Sequence, residues 1–193
     1  MSDGVVVREL PAGATPAPLH ADLDVFRPAD RQGDALAAIA AEPGGRVLVA
    51  ERAGRTVGYL TFHPPDPVER WGHDRSGRLV ELGAIEVAPD LRGEHLGERL
   101  LAAAFADGAY DDTVVFAALY AWHFDLERTG LGPLGYRRLL ERLYRAVGLE
   151  RVATSDPEIG AEPANALLAR IGPRAPAAVR DEFERLRTLP PPD

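Results

Sequence analysis

The sequence predicts an α/β fold, in which a mixed sheet is flanked by helices. Residues 79–108 carry the main sign of this fold, because an apolar strand is followed there by a turn with glycine and by an amphipathic helix. Residues 46–63 predict a β-hairpin, with two β-rich runs joined by the turn RAGR. Residues 136–147 carry apolar side chains at helical spacing. Together these segments indicate a domain that combines a sheet with packed helices.

Composition restricts the function classes. The chain has 193 residues, of which 46% are apolar, and this is enough for the core of one domain. The net charge is −8 and the basic residues are scattered, so neither nucleic acid nor a membrane is expected as the main partner. The chain has no cysteine, and its five histidines show no i, i+4 spacing, so no metal site is predicted. Without a signal pattern or a long apolar run, the expected localisation is cytoplasmic.

The first part of the chain contains a predicted strand, a predicted helix and the hairpin. A strand is predicted for residues 4–10, and a proline-rich stretch follows, so residues 1–20 are expected to be loosely held. Asp30 is the expected N-cap of a helix over residues 31–41. After the hairpin, a loop that begins with prolines contains Trp71. This loop either lines a substrate site with an exposed tryptophan or is a surface loop with one packed tryptophan.

The remaining chain alternates between strands and helices. Residues 113–122 predict a strand, and Gly148 is expected to end the helix that follows. Residues 149–154 predict a short strand, and residues 164–172 predict a helix that ends in glycine.

The last segment of the chain predicts one more helix. It carries Val179, Phe183 and Leu186 on one face. The expected organisation is therefore a main domain over residues 21–172, followed by a helical tail over residues 173–193 that packs on it.

The turn between the central strand and its helix is suited to binding an anion. The first N–H groups of a helix have no intrahelical partner, and the helix dipole is positive at that end. Gly93 allows an anion to approach the backbone, and Arg92 adds a cation. This turn matches neither of the two best-known phosphate loops, since the chain has no lysine for G-x-x-x-x-G-K-[ST] and the turn itself, LRGEHLG, does not read G-x-G-x-x-G. An ordinary strand-turn-helix junction is the alternative interpretation.

This turn resembles the pyrophosphate loop of the GNAT superfamily of N-acetyltransferases, whose pattern R/Q-x-x-G-x-G/A follows the fourth strand. Arg92 and Gly97 match the pattern. His95 stands where the family usually has glycine, and it either narrows the loop or donates a hydrogen bond to phosphate. The resemblance implies a GNAT acyltransferase fold, with the mixed central sheet splayed between strands four and five. It also implies that acetyl-CoA is the acetyl donor, with these binding residues: Ile85, Val87, Arg92, Gly93, His95, Leu96 and Gly97.

Two assignments of the fifth strand are compatible with this resemblance. In the first, which we favour, the strand is the run at residues 113–122. In the second, it is the run at residues 149–154, and residues 109–148 are an insertion. In both, the family helix that ends in glycine is assigned to residues 164–172. Leu168 then stands where the family often has a tyrosine general acid.

Six sequence blocks resemble one branch of the superfamily, the acetoin utilization protein AcuA family: DLDVFRP, PDPVERW, ELGAIEVAPDLRG, YAWHFDL, ATSDPEI with PANALLARIG, and FERLR. Their order and spacing from residue 22 to residue 187 are more specific than the loop alone. The resemblance implies a protein acetyltransferase that moves acetyl from acetyl-CoA to a lysine side chain. In that family the acceptor is the active-site lysine of acetyl-CoA synthetase, and acetylation inactivates the synthetase.

Three side chains are candidates for the base that deprotonates the attacking amine. Free lysine has a pKa of about 10.4, so its amine must lose a proton before it attacks the thioester. Glu86 is our first candidate, because it lies on the central strand beside the backbone expected to hold the acetyl group near Val87. Glu81 is the second and points to the opposite face of the strand. His123 is the third, since its ordinary pKa already suits the task.

Each of these three residues also has a purely structural interpretation. A glutamate of the central strand is otherwise paired with an arginine, and His123 is otherwise a packed histidine beside Trp122. Superfamily resemblance favours a glutamate, because in its lysine acetyltransferases a glutamate on this strand acts as the base.

Two other functions are compatible with the same cofactor loop. One is the acetylation of a small amine such as an antibiotic, a polyamine or an amino acid. The other is a sensor that binds acetyl-CoA without turnover and acts by docking to a partner. The departure at His95 and the missing tyrosine at Leu168 leave this second alternative open.

Overall fold

The computed structural model describes residues 4–190. The chain divides into two compact units, the first drawn from Met1–His63 and Leu82–Ala106, the second from Pro64–Glu81 and Asp107–Asp193. The strands are β1 (Val6–Glu9), β2 (Arg46–Arg52), β3 (Arg55–His63), β4 (Leu79–Val87), β5 (Val114–Leu119), β6 (Glu150–Val152) and β7 (Ala166–Ile171). The α-helices are α1 (Ala29–Ala41), α2 (Leu96–Ala104), α3 (Leu126–Thr129), α4 (Pro133–Arg145), α5 (Pro157–Gly160) and α6 (Ala177–Arg187).

These strands form one mixed sheet in the order β1-β2-β3-β4-β5-β7-β6. β4 and β5 are parallel, with Leu79 opposite Val114 and Glu81 opposite Phe116. The pairs β1–β2, β2–β3, β5–β7 and β6–β7 are antiparallel. The predicted mixed α/β sheet is therefore confirmed. Since β5 is the parallel partner of β4, the first assignment of the fifth strand is also confirmed.

The hairpin of the first unit is closed by a two-residue turn. Ala53 and Gly54 both have positive φ, 49° and 74°. Two left-handed residues in succession form the type of turn whose twist matches that of the flanking strands. An irregularity in the register between Ala50 and Glu51 adds a bulge to β2. The sequence prediction of this hairpin, with its strands at residues 46–51 and 56–63, is confirmed.

A glycine on β3 allows the neighbouring strand and helix to come close. A Cβ atom at Gly58 would lie 3.0 Å from the carbonyl oxygen of Glu86, 3.4 Å from Val87 and 3.5 Å from Leu100. The first of these neighbours is backbone, which cannot rotate away as a side chain can. Gly58 therefore lets β3 pack against the last residues of β4 and against α2 at the point where the candidate site is built.

The core of the second unit is organised around Trp71. Its ring lies 4.8 Å from that of Phe116 on β5 and 5.8 Å from that of Phe183 on α6. Trp71 is only 1% exposed. Of the two interpretations of its loop, the packed tryptophan is therefore the correct one. Val179 and Leu186 complete the apolar face that was predicted for the last helix, and both are buried in the same core.

Three details of the predicted elements are wrong. Residues 164–172 were expected to be a helix, but Ala166–Ile171 is the strand β7, which pairs with β5 on one side and β6 on the other. Leu168 is accordingly a fully buried strand residue rather than a helical one. Asp30 lies in the first turn of α1 and not at its N-cap, which is Pro28. The strand predicted for residues 113–122 ends at Leu119.

The described residues contain neither a membrane-spanning helix nor a group of side chains suited to a metal ion. Within residues 4–190, no helix is long and apolar enough to cross a membrane. In the same range, no three or more His, Asp or Glu side chains are grouped so that they could hold a metal ion.

Candidate active site

Glu86 lies near the end of β4, in the first unit, and each oxygen of its carboxylate accepts a hydrogen bond. The Tyr59 hydroxyl donates a hydrogen bond to Oε2 over 2.5 Å, and the Val25 backbone N–H donates one to Oε1 over 3.0 Å. Glu86 is 5% exposed. A buried carboxylate is stable only when its oxygens are paired in this way. The site is thus a glutamate whose two oxygens are separately positioned by β3 and by the segment before α1.

The surroundings of Glu86 shift its affinity for protons in two directions. Burial raises the pKa of the carboxyl, because the charged form loses its hydration, and this effect is the largest. Hydrogen bonds from Tyr59 and from the backbone N–H groups of Val25 and Asp24 oppose the shift, whereas the Asp24 charge adds to it. The resulting pKa is higher than that of an ordinary glutamate. A glutamate of this kind is better suited to accept a proton near neutral pH.

Tyr59 is a site residue that the sequence reasoning missed. It is fully buried on β3, and its pKa is raised by burial and by the neighbouring Glu86 charge. The phenol therefore keeps its proton and acts as a hydrogen-bond donor. In the sequence, the run TVGYLTFH reads only as an apolar strand. The available signal was that a tyrosine in such a strand needs a polar partner for its hydroxyl.

The loop between β4 and α2 contains two residues with positive φ, Gly93 and His95. Gly93 has a φ of 96°, and nothing lies within 4 Å of the position its Cβ atom would take. His95 is the N-cap residue of α2, with φ 57° and ψ 24°. This left-handed conformation is easy for glycine and strained for most other residues. It explains physically why glycine is usual at this position of the loop that the sequence resembles.

The N-terminus of α2 carries N–H groups without intrahelical acceptors. The first intrahelical bond runs from the Arg99 N–H to the His95 carbonyl, so the N–H groups of Leu96, Gly97 and Glu98 precede it. In the described structure the N-cap side chain makes no capping hydrogen bond. Leu96 is buried and anchors the helix. Free donors at a helix N-terminus favour an anionic ligand.

The side chain of His95 lies beside Glu98, and its role toward phosphate stays a prediction. Its Nδ1 atom lies 3.1 Å from Oε2 of Glu98, one turn further along α2, and both side chains are largely exposed. Arg92, which precedes the left-handed residues, is also exposed.

The remaining predicted cofactor residues lie at the end of β4. Val87 has its side chain on the α2 side of β4, next to Gly58. Ile85 is half-buried on the same strand. The structure thus brings together in the first unit all seven predicted cofactor residues and the first base candidate.

Glu81 and His123 belong to the second unit. Glu81 is the last residue of β4 that pairs with β5, and its charge is one of four that raise the pKa of Tyr120, after the larger effect of burial. Tyr120 stacks on Trp122 with ring centroids 4.4 Å apart, and Trp122 is 57% exposed. His123 packs edge-on against Trp122, and partial burial lowers its pKa, which favours the neutral ring.

The comparison with known proteins identifies the family. The sequence model of the acetyltransferase (GNAT) family matches residues 15–124. This chain belongs to the GNAT family of acetyltransferases. It is accordingly an acetyl-CoA-dependent acetyltransferase, and the predicted GNAT fold is confirmed.

Within the family, the chain is similar to acetoin utilization proteins. It is 42% identical over 168 residues to the acetoin utilization protein AcuA of Bacillus licheniformis and 44% identical over 169 residues to that of Bacillus subtilis. Each match covers 87% of this chain and 80% of the relative. The crystal structure of an acetoin utilization protein from Exiguobacterium sibiricum superimposes with a TM-score of 0.88 at 34% identity, covering 97% of this chain and 96% of the other. The predicted resemblance to this branch is confirmed.

The family assignment agrees with the donors at the N-terminus of α2. Acetyl-CoA carries a diphosphate, and the free N–H groups of the first helical turn are donors of the kind that a diphosphate accepts from. Gly93 leaves room for its approach, since no atom occupies the space a side chain would fill. The residues present therefore fit the phosphate part of acetyl-CoA.

Proposed function

We propose that this protein transfers the acetyl group of acetyl-CoA to a lysine of acetyl-CoA synthetase and thereby inactivates the synthetase. The observation that carries the proposal is the 42–44% identity to AcuA proteins over 87% of the chain. The resemblance implies the active-site lysine as the acceptor and control of acetate and acetoin metabolism as the consequence. The reaction is expected to take place in the cytoplasm.

Glu86 is the proposed base. A lysine acceptor arrives as an ammonium ion, and its proton must leave before the amine can attack. Burial raises the pKa of Glu86, which makes its carboxylate a better acceptor for that proton. Bound acetyl-CoA supplies an acetyl group activated as a thioester. As the new N–C bond forms and the C–S bond breaks, the nitrogen loses its second proton, which the departing thiolate takes up, and Glu86 then releases the first proton to solvent.

Cofactor binding is assigned to the end of β4 and to the following loop. Arg92, Gly93, His95, Leu96 and Gly97 are proposed to hold the diphosphate through backbone N–H groups and the guanidinium charge. Ile85 and Val87 are proposed to hold the acetyl carbonyl through backbone N–H groups, which would stabilise the developing oxyanion. The free donors of α2 support the first assignment.

Glu81 and His123 are the alternative bases within this proposal. The lowered pKa of His123 keeps its ring neutral and able to accept a proton. Single substitutions separate the three candidates. Glu86→Gln is expected to remove about a hundredfold or more of the transfer rate, as is usual for a general base, whereas Glu81→Gln and His123→Gln leave most of it.

The test is incubation of acetyl-CoA synthetase from the same organism with this protein and acetyl-CoA, followed by mass spectrometry of the synthetase peptides. The expected result is one acetylated lysine, with loss of synthetase activity in proportion to the acetylated fraction. Two controls belong to the test: the Glu86→Gln enzyme, and a synthetase whose modified lysine is replaced by arginine.

Other outcomes would contradict the proposal in different ways. Release of free CoA with small amines, but with no acetylated synthetase, would assign the protein to small-molecule acetylation. Acetylation of many surface lysines at equal, slow rates would contradict a specific acceptor. Tight binding of acetyl-CoA with no transfer to either kind of acceptor would leave the sensor function.

A further inference from the structure

The two oxygens of the Glu86 carboxylate accept hydrogen bonds from two different elements, both earlier in the chain. Oε2 accepts from the hydroxyl of Tyr59 on β3, and Oε1 accepts from the N–H of Val25 in the segment before α1. The first contact joins two side chains that are 27 positions apart in the sequence, and the second spans 61 positions. The orientation of the carboxylate therefore depends on two different elements of the first unit.

Tyr59 can hold this carboxylate in one fixed orientation. It is fully buried, and its position on β3 is set by antiparallel pairing with Val49 on β2. Gly58, next to it on β3, packs against the backbone of Glu86 itself. Both ends of the Tyr59–Glu86 hydrogen bond are thus attached to backbone that is fixed by the sheet, and rotation of the phenol is restricted by close packing.

We propose that Tyr59 is a positioning residue for acetyl transfer, which fixes the orientation of the Glu86 carboxylate and favours its ionised form. This inference rests on the proposed role of Glu86 as the base. Because Oε2 accepts a 2.5 Å hydrogen bond from a buried phenol, the carboxylate has one preferred orientation. Its remaining lone pairs then point away from the phenol. Those lone pairs are the ones left to receive a proton from the acceptor amine.

The charged and titratable groups around Glu86 set the direction of the effect. Tyr59 faces it from β3, and Asp24 faces it from the segment before α1, while the Arg27 charge acts on the Tyr59 hydroxyl. The Tyr59 hydrogen bond stabilises the carboxylate and lowers the pKa of Glu86, whereas the negative charge of Asp24 raises it. Removal of the hydroxyl takes away one effect that lowers the pKa of Glu86, while burial and the Asp24 charge still raise it. The pKa of Glu86 should then rise further.

Only one proton passes from the acceptor amine to the pair formed by Glu86 and Tyr59. Glu86 gains the proton that the acceptor ammonium loses, and Tyr59 keeps its own proton throughout. The raised pKa of Tyr59 agrees with this, because the phenol does not ionise beside the glutamate. When Glu86 is protonated, the phenol can still donate to a remaining lone pair of the carboxyl group. No other group therefore has to exchange a proton with Tyr59 during the reaction.

The experiment compares the pH dependence of kcat/KM for the wild type, Tyr59→Phe and Glu86→Gln. Tyr144→Phe is the matched control, since it removes a hydroxyl from a buried tyrosine of the second unit. For Tyr59→Phe we expect kcat to fall about tenfold to a hundredfold, because a hydrogen bond to a charged group is lost. We also expect the acidic limb of the profile to move to higher pH, while the Kd for acetyl-CoA stays unchanged. Tyr144→Phe should keep the wild-type profile.

The outcomes distinguish this inference from the proposed function. If Glu86→Gln abolishes the acidic limb but Tyr59→Phe leaves both kcat and the limb as in the wild type, Tyr59 is not a positioning residue and Glu86 remains the base. If Glu86→Gln keeps the wild-type rate and profile, the base itself is wrongly assigned.

A second variant decides the matter if circular dichroism shows that Tyr59→Phe does not fold. Glu86→Asp keeps the carboxylate but shortens it by one methylene, so that it no longer reaches the phenol. We expect this variant to lose kcat as Tyr59→Phe would, with unchanged affinity for acetyl-CoA. A wild-type kcat in Glu86→Asp would overturn the inference.

Discussion

Glu86 is buried, yet its proposed task requires exchange of a proton with an incoming amine. The structure reconciles the two demands by giving the carboxylate donors on both oxygens, from Tyr59 and Val25. Burial raises the pKa of Glu86, and these donors limit the rise. The net result is a pKa above that of an ordinary glutamate, which is the direction that the proposed role as a base requires.

His95 allows a test of backbone strain at the residue scale. Its φ of 57° is left-handed, where a Cβ atom is unfavourable. We expect His95→Gly to be more stable than His95→Ala by about 1 kcal/mol, since both lose the imidazole contact with Glu98 but only glycine relieves the Cβ strain. Urea unfolding of the two variants measures the difference. Equal stability, or a more stable alanine variant, would show that the loop does not keep this conformation in solution.

At the scale of elements, the hairpin and the strand-turn-helix were predictable because local patterns and tertiary environment agree. β2 and β3 carry β-rich runs around a turn that requires left-handed residues, and α2 has one apolar face. The segment of β7 could not be predicted in this way. Its residues, ALLARI, favour a helix by intrinsic propensity, but pairing with strands on both sides stabilises an extended chain.

Only the part of the candidate site that lies within a sequence motif could be predicted. The loop residues and Glu86 follow from the strand and the family pattern, because those residues are neighbours in sequence. Tyr59 and Val25 join the site through sheet pairing and a long-range backbone contact, for which the local sequence has no signal. The same holds for Trp71, whose partners Phe116 and Phe183 are distant in sequence.

The close contact between β3 and the end of β4 at Gly58 can be tested by substitution. We expect Gly58→Ala to lower the free energy of unfolding by about 1–3 kcal/mol, since the added Cβ atom meets the Glu86 carbonyl oxygen at 3.0 Å. Acetyl transfer should fall as well, because the displaced backbone carries Glu86. Gly160→Ala is the matched control, with nothing within 4 Å of its added Cβ atom. Chemical denaturation and turnover are measured for both, and an unchanged Gly58→Ala protein would contradict the packing described.

At the scale of the whole molecule, the predicted mixed sheet is present, with seven strands in the described residues. β4 contributes to both compact units, with Glu81 at the end of its part in the second unit and Glu86 in the first. The match to the GNAT family over residues 15–124 and the TM-score of 0.88 to an acetoin utilization protein agree with the predicted fold and family. Fold and family are therefore the level at which sequence and structure agree most closely.

The pH dependence of stability tests whether Glu86 is buried in the folded molecule. Its pKa is raised above the ordinary value of 4.5, so the folded state binds the proton more tightly than the unfolded state does. The stabilising effect of protonation is complete below pH 4.5 and is lost as the pH rises through the folded-state pKa. We expect the free energy of unfolding of the wild type, relative to Glu86→Gln, to decrease as pH rises from 4 to 8. A difference independent of pH would contradict the burial of this carboxyl.

Glu86 is proposed to act in the chemical step and not in binding acetyl-CoA. A comparison of wild type and Glu86→Gln tests this role, with the Kd for acetyl-CoA measured by calorimetry and the transfer rate measured under saturating acetyl-CoA. We predict an unchanged Kd together with a fall in transfer rate of about a hundredfold or more. A wild-type transfer rate in Glu86→Gln, or a loss explained entirely by weaker acetyl-CoA binding, would contradict the assignment of Glu86 as the base.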